Sequence, residues 1–307
     1  MPNPSATALS IHGLHKSYGR VHALRGLDLE VKRGEIFGFL GPNGAGKTTT
    51  IRCLLDLIRP HRGTVRVLGM DPQTQPVAVK ARCGYLPGEL ALQDNTTVEG
   101  LLRYLERLRG GKVDWAYVRP LADRLELELK RPLKNLSKGN KQKVGVIQAL
   151  MPQPELLLLD EPTAGLDPLM QQEVLELLRE AKDAGATVFF SSHIMSEVEE
   201  VAERVGIIRE GRIAEVAEVA ALVHRALRRV TVRFQSSVDS SALADVPGVT
   251  VLSTEPDSVT FQIQGEMDAL IKALATWPVS DLETERPSLE EVFLAYYQGE
   301  RKHEEVR

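Results

Sequence analysis

The eight residues from Gly41 to Thr48, GPNGAGKT, carry the most specific chemistry in this sequence. They fit the pattern G-x-x-x-x-G-K-[ST] and stand between an apolar run, Ile36 to Leu40, and a stretch with helical periodicity. Glycines let backbone N–H groups approach phosphate oxygens, and a helix that begins here directs its positive end at the same anion. The Lys47 ammonium can reach the β- and γ-phosphates of a nucleotide, and the Thr48 hydroxyl can hold Mg²⁺. The motif therefore predicts a phosphate site made by Gly41, Pro42, Asn43, Gly44, Ala45, Gly46, Lys47, Thr48 and Thr49.

Two acidic residues follow a second apolar strand. Leu156 to Leu159 is a run of leucines, and Asp160 and Glu161 come directly after it. Parallel strands buried on both faces have such sequences, and their carboxyl ends meet at one edge of the sheet. Asp160 is then placed to hold Mg²⁺ through water, and Glu161 to accept a proton from an attacking water. The alternative is a plain strand followed by an acidic turn. The position of the pair, about 110 residues after the glycine loop, favours the chemical role.

Further short motifs lie around these two clusters. Leu136 to Gln142 reads LSKGNKQ, Ala164 to Asp167 reads AGLD, and His193 follows another apolar stretch. Tyr18 and Ala23 precede the glycine loop. These motifs resemble five features of ABC-type ATPases. Leu136 to Gln142 resembles the LSGGQ signature, Ala164 to Asp167 the D-loop, and His193 the switch histidine. Tyr18 resembles the aromatic that stacks on adenine, and Ala23 the small residue that lines its pocket.

The resemblance covers about residues 9 to 215 and implies an ATPase that binds ATP with Mg²⁺. In that family two cassettes close head to tail, and the signature of one contacts the ATP held by the other. The resemblance makes Glu161 the general base and His193 its partner at the γ-phosphate. It assigns adenine contact to Tyr18 and Ala23, the D-loop to Asp167, and the signature to Ser137, Lys138, Gly139 and Asn140.

The sequence departs from the family pattern at two places. In the signature, Lys138 and Asn140 replace family residues, but the serine and the glycine that approach phosphate are kept. In the Q-loop, Gly88 stands where the family usually has a glutamine. Glu89 or Gln93 could take over its contact, and the sequence leaves this role open.

The order of apolar elements predicts an α/β fold. The resemblance implies a P-loop NTPase core of the ABC ATPase type, with an antiparallel β subdomain and a helical insertion, followed by a small α+β domain. The expected divisions are a nucleotide-binding domain over 1–217 with its helical subdomain at about 87–151, a linker helix over 218–229, and a C-terminal accessory domain over 230–307.

Apolar periodicity and capping residues place the individual elements. The expected strands include 9–15, 27–31, 64–67 and 82–86, and the expected helices include one from the glycine loop to Ile58, one over Val98 to Leu108, one over 115–125 and one that Ser137 caps. A last helix over Ser288 to Tyr297 and a charged, disordered tail from Arg301 are also expected.

Composition excludes several classes of protein. The net charge of −4 argues against nucleic acid as a partner, because such surfaces are basic. No apolar run approaches the ~18 residues that span a bilayer, and Met1 to Ala8 does not resemble a signal peptide. Cys53 and Cys83 fit no metal spacing and are expected to be packed, reduced thiols. These features indicate a cytoplasmic protein.

The interpretation that follows is the ATP-hydrolysing motor subunit of a bacterial ABC transporter. Such a chain works with a separate integral-membrane permease at the inner face of the membrane, and with a second cassette that is a copy or a related subunit. The stretch from Ser288 to Leu294, at the end of the C-terminal domain, resembles drug- and antibiotic-resistance exporters. The alternatives are a soluble ABC ATPase that acts on ribosomes or DNA, and an importer subunit.

Overall fold

The computed structural model describes residues 6–90, 92, 96–111, 113–225, 228–236, 246–263 and 267–285. The chain divides into two compact units, Met1–Ala217 and Glu218–Arg307, and each is described by itself. Within the described ranges, no helix is long and apolar enough to cross a membrane.

The first unit contains a three-stranded antiparallel sheet with the order β2-β1-β4. Its central strand pairs antiparallel with both neighbours, and its register shifts between Ile11 and Leu14, beside Gly13 at φ +55°. Side chains that alternate inward form one wall of the core. The strands are β1 (Thr7–Tyr18), β2 (Val21–Lys32) and β4 (Arg62–Val67).

The second sheet of this unit has six strands in the order β5-β6-β7-β3-β8-β9. The pairs β5–β6, β6–β7, β7–β3 and β3–β8 are parallel, so several strands end at one edge of the sheet. Phe37 stacks on Phe189 with ring centroids 5.8 Å apart inside the core. The strands are β3 (Ile36–Leu40), β5 (Cys83–Leu86), β6 (Leu156–Asp160), β7 (Thr187–Ser192), β8 (Arg204–Arg209) and β9 (Arg212–Glu218).

Helices lie between these strands, and polar side chains cap several of them. Thr97 accepts a hydrogen bond from the Gly100 N–H at 3.1 Å, and Ser137 accepts one from the Asn140 N–H at 3.2 Å. Such caps satisfy backbone donors that have no partner within the helix. The helices are α1 (Lys47–Leu54), α2 (Pro76–Ala81), α3 (Val98–Leu108), α4 (Trp115–Arg124), α5 (Lys138–Leu150), α6 (Pro168–Asp183) and α7 (Met195–Val201).

The second unit contains a four-stranded antiparallel sheet with the order β11-β12-β10-β13. Phe261, Leu270 and Leu274 belong to its own apolar core, and the Phe234 ring meets Trp277 edge-on at 6.3 Å. Its elements are α8 (Val219–Arg225), β10 (Arg228–Phe234), β11 (Val249–Thr254), β12 (Ser258–Ile263), α9 (Asp268–Leu274) and β13 (Val279–Glu285).

The predicted element types are confirmed for most of the chain, but some boundaries were wrong. Helix α1 ends at Leu54 rather than Ile58, because Asp56 adopts a positive φ of 49°. Leu55 and Ile58 still pack on the core, which extended the helical periodicity past the helix. The strands expected at 9–15 and 27–31 are longer, because bulges in β1 interrupt the alternation that marks a strand. Helix α2 was not predicted, and the expected helix at Ser288 to Tyr297 lies outside the described residues.

Candidate active site

The glycine loop leaves the end of β3 and enters α1 under tight steric limits. A Cβ on Gly41 would lie 2.4 Å from the Ile208 carbonyl oxygen, and one on Gly46 would lie 2.7 Å from the Ala23 carbonyl oxygen. Gly46 also has a φ of +114°, which side-chain-bearing residues rarely adopt. Both positions therefore require glycine, and the backbone of the loop lies bare at the start of the helix.

A cavity of about 130 Å³ opens above this loop. It brings together residues from the glycine loop, from β2 and from the end of β6. Gly41 and Ala45, which were also predicted for the site, are buried in the loop and do not line the cavity. The lining is Ala23, Pro42, Asn43, Gly44, Gly46, Lys47, Thr48, Thr49 and Glu161.

The Lys47 side chain is held inside the loop. Its Nζ donates to the carbonyl oxygens of Gly41 at 2.6 Å and Pro42 at 3.3 Å, and it lies 3.5 Å from Glu161 Oε1. Lys47 is only 5% exposed, and a buried ammonium needs partners for its N–H donors. Here two backbone oxygens and one carboxylate supply them. The arrangement places a positive charge at the floor of the cavity, where it attracts an anion.

Asp160 keeps one carboxylate oxygen free at the adjacent strand end. Its Oδ1 accepts from the Ser191 hydroxyl at 2.6 Å, whereas its Oδ2 is buried and has no hydrogen-bond partner among the described residues. An unpartnered buried carboxylate oxygen suits a hydrated cation. Asp160 does not line the cavity, whereas Thr48, the other predicted metal ligand, does. The described residues contain no cluster of three or more His, Cys, Asp or Glu that would hold a metal by itself. The residues therefore fit Mg²⁺ only together with phosphate oxygens.

Glu161 sits in an unusual backbone conformation with φ +52°. Its N–H faces both the carbonyl and the hydroxyl oxygen of Ser191, each at 3.1 Å, and its own carbonyl accepts from Gln142 Nε2 at 2.8 Å. Its carboxylate Oε1 lies 3.2 Å from His193 Nδ1 and points toward the cavity. A strained residue that neighbours hold in place is a frequent feature of active sites.

Two predicted residues lie at the outer part of this region. His193 is about half exposed and contacts Glu161 from the end of β7. Tyr18, the last residue of β1, is 47% exposed and pairs with Val21 across a tight hairpin. Tyr18 does not line the cavity, although Ala23 of the same hairpin does.

The signature residues do not line the cavity either. Ser137 caps α5, and a Cβ on Gly139 would lie 2.9 Å from the Gly165 carbonyl oxygen. The Lys138 side chain lies over Gly165, and Asp167 caps α6 by accepting from the Met170 N–H at 3.1 Å. The signature and the D-loop therefore pack directly on each other, and none of their residues is in the lining of the cavity above the glycine loop.

Gly88 lies beside the free oxygen of Asp160. A Cβ at Gly88 would be 2.9 Å from Asp160 Oδ2, closer than real Cβ contacts come. Glu89 is exposed, and Gln93 lies outside the described residues. A side chain at position 88 would therefore crowd Asp160, and no described side chain takes the place of the glutamine expected from the family pattern.

Sequence reasoning missed three residues that support the site. Ser191 bonds both acids, Gln142 bonds the backbone of Glu161 and Pro162, and Glu197 bonds two hydroxyls near the site. Gln142 belonged to the signature stretch and Ser191 to a predicted strand. Only their tertiary contacts give them a role, and no local pattern encodes those contacts.

Two families match this chain. Residues 24–164 match the family described as "ABC transporter". Residues 222–297 match the family described as "ATP-binding protein DrrA1-3-like, C-terminal domain". The first match spans the glycine loop, the signature and both acids, and favours a transporter over a soluble ATPase that acts on ribosomes or DNA.

Curated relatives match over two thirds of this chain or more. Daunorubicin resistance ATP-binding protein DrrA3 of Streptomyces coeruleorubidus is 34% identical, over 98% of this chain and 99% of its own length. Bacitracin transport ATP-binding protein BcrA of Bacillus licheniformis is 38% identical, over 68% of this chain and 69% of its own.

A solved structure titled "Structure of ATP binding subunit of ABC transporter" has the same fold as part of this chain. It aligns with a TM-score of 0.65 at 31% identity and covers 70% of this chain and 92% of its own. A bacterial Atm1-family ABC exporter with ATP bound aligns with a TM-score of 0.63 at 25% identity, over 72% of this chain and 40% of its own. The chain belongs to the ATP-binding proteins of the ABC transporter family, a family of ATPases that power transport.

Proposed function

We propose that this chain binds ATP with Mg²⁺ and hydrolyses it to drive export through a separate membrane permease. One observation carries the proposal: the Glu161 carboxylate stands between His193, at 3.2 Å, and the buried Lys47 ammonium, at 3.5 Å, on the wall of the cavity above the glycine loop. A carboxylate in that position is suited to take a proton from a water that attacks a bound phosphate.

Each side chain of the cavity has a separate task in this proposal. The bare loop N–H groups and Lys47 bind the phosphates, while Thr48 and Asp160 hold Mg²⁺, the latter through water. The ion, when bound, neutralises charge on the phosphates. Glu161 accepts the proton of the attacking water, and His193 keeps that carboxylate and the γ-phosphate aligned.

A second cassette completes the site. The signature and D-loop of this chain are packed together and lie away from its own cavity, so they are available to another nucleotide. The N–H groups at the start of α5 form an anion site, with Ser137 as the cap. Because one chain carries both halves, we propose a head-to-tail dimer of two copies, in which Tyr18 stacks on the adenine.

The permease contact is proposed for the exposed side of α3, within the region from Pro87 to Leu108. This helix carries exposed apolar side chains, Tyr104 at 58% and Leu108 at 66% exposed. Exposed apolar groups of this kind favour a protein partner, and docking there would hold the chain at the inner face of the membrane.

The direction of transport is inferred from relatives. The names of two of them refer to resistance to daunorubicin and to transport of bacitracin, which favours export. The match over 222–297 to a DrrA-like C-terminal domain favours the same subgroup. We propose the division into a nucleotide-binding domain over 1–217 and an accessory domain over 230–307, and the boundary between the two compact units supports the limit at 217. The linker helix expected over 218–229 is shorter, because α8 covers Val219–Arg225 and β10 begins at Arg228.

The test is ATP turnover by the purified chain, wild type beside Glu161→Gln. We expect Glu161→Gln to lower turnover at least about 100-fold while ATP affinity is kept, because the amide cannot accept the proton. Glu200→Gln, at an exposed glutamate on α7 that pairs with Arg179, is the matched control and should retain turnover. If Glu161→Gln retains most of its turnover, Glu161 is not the base and the proposed mechanism is wrong.

A further inference from the structure

A buried carboxylate outside the cavity joins the two loops that carry the reacting side chains. Glu197 lies on α7 and is 5% exposed. We propose that Glu197 is a positioning residue, which holds the loop after β6 and the loop after β7 in register so that Glu161 and His193 meet. The inference rests on the proposed function and concerns how its base is held.

The contacts of Glu197 are short and go to both loops. Its Oε1 accepts from the Thr163 hydroxyl at 2.5 Å, and its Oε2 accepts from the Ser192 hydroxyl at 2.6 Å. Thr163 follows Glu161 by two positions, and Ser192 directly precedes His193. One carboxylate thus bridges two chain segments whose reacting side chains are 3.2 Å apart.

The same contacts extend to the neighbouring backbone. The Ser192 hydroxyl also accepts from the Ile194 N–H at 2.9 Å, which fixes both sides of His193. The Ser192 carbonyl accepts from the Gly41 N–H at 3.3 Å, so the histidine loop is also tied to the start of the glycine loop. Movement of Ser192 would therefore change both the base and the phosphate site.

The charge of Glu197 is unusual for a side chain used only in packing. Among the described residues, no Lys, Arg or His forms an ion pair with it, and its hydrogen bonds come from neutral hydroxyls. A buried carboxylate without a cation is costly, so a leucine or methionine would suit a packing role better. Two hydrogen bonds to an ionised group are strong and directional, which suits a role in alignment.

The test removes single hydroxyls so that the fold is kept. In the full chain, Thr163→Val and Ser192→Ala should each lower kcat about tenfold, the loss expected for one hydrogen bond to a charged group. KM for ATP should change little in Thr163→Val, since that side chain does not line the cavity and has no contact with the glycine loop among those described. Glu197→Gln keeps an acceptor and should lose less than Glu197→Ala, and Glu200→Gln is the surface control on the same helix.

A second readout separates alignment from general stability. In a His193→Ala background, Thr163→Val should lower kcat by no more than about twofold, because the Glu161–His193 contact that the bridge aligns is gone. The ring-proton NMR signals of His193 should shift in Thr163→Val but not in Glu200→Gln. A full tenfold loss in the His193→Ala background, or unchanged turnover and NMR signals in both hydroxyl variants, would overturn the inference. An inactive wild type would instead count against the proposed function.

Discussion

The glycine-loop cavity and the signature loop of the same chain differ in how much of a binding site each one forms. In the cavity, Lys47 is 5% exposed and bonded to backbone oxygens, and Glu161 is held by Ser191, Gln142 and His193. At the signature, Ser137 caps a helix and is not among the residues that line the glycine-loop cavity. The first region is preorganised for a nucleotide, whereas the second has only its anion-binding helix start. The contrast indicates that a second cassette is needed to complete the site.

Lys47→Ala should have the largest effect, because it removes the buried charge of the preorganised region. We expect ATP affinity to fall on the order of 100-fold, since a charge-assisted interaction with phosphate is lost. Titration with a fluorescent ATP analogue measures this. Lys80→Ala, which changes an exposed lysine, is the control and should bind normally. Unchanged affinity in Lys47→Ala would mean that the cavity is not the phosphate site.

Gly139→Ala tests the signature loop, the second of the two regions compared. The new methyl group would approach the Gly165 carbonyl oxygen to 2.9 Å and push the signature and the D-loop apart. Turnover should fall about 10- to 100-fold, as for other overpacking changes of 1–3 kcal/mol, while ATP affinity stays normal. Glu200→Gln, the exposed surface variant on α7, is the control and should retain turnover. Loss of ATP affinity in Gly139→Ala would contradict the separation of the two regions.

Gly88→Gln introduces the glutamine that related ATPases usually have at this position, and we expect it to weaken metal binding. A side chain at this position meets Asp160 Oδ2 at 2.9 Å, and that oxygen is the one left free for the metal. Binding of Mn²⁺ with ATP, followed by electron paramagnetic resonance, should weaken about tenfold. Glu89→Gln, one position away and exposed, should leave metal binding unchanged. Tighter metal binding in Gly88→Gln would show that the chain tolerates the family arrangement.

Tyr18→Ala should have the smallest effect. The ring is 47% exposed at the tip of a hairpin, so stacking on adenine would contribute modestly. We expect KM for ATP to rise about fivefold, and Tyr18→Phe to behave as wild type because the ring is kept. An equal KM in Tyr18→Ala would remove this residue from the nucleotide site.

The sequence allowed parts of the cavity to be predicted, because they belong to short contiguous motifs. Lys47 follows its loop directly, and Asp160 and Glu161 end a strand whose leucine run indicates burial on both faces. Parallel pairing of β3, β6 and β7 then brings these motifs to one edge. The hydrogen bonds and ion pairs that these side chains form with one another could not be predicted from the sequence.

Other features depended on tertiary structure and could not be predicted. Glu197 touches residues 34 and 5 positions away, and nothing local marks it as different from the other glutamates of α7. The closeness of Gly88 to Asp160 depends on the side-by-side pairing of β5 and β6. The helical spacing of apolar residues continues to Leu55, past the end of α1 at Leu54, because Leu55 also packs in the core. The sequence therefore did not show where this helix ends.

A mixing experiment tests most directly the claim that two cassettes share each site. Lys47→Ala and Gly139→Ala chains are each expected to turn over ATP poorly. A mixed dimer would pair one intact glycine loop with one intact signature and should regain turnover. We expect the 1:1 mixture to exceed both variants clearly, with mixed dimers verified through two different affinity tags. Mixed dimers that form and stay as inactive as the parent variants would contradict the shared site.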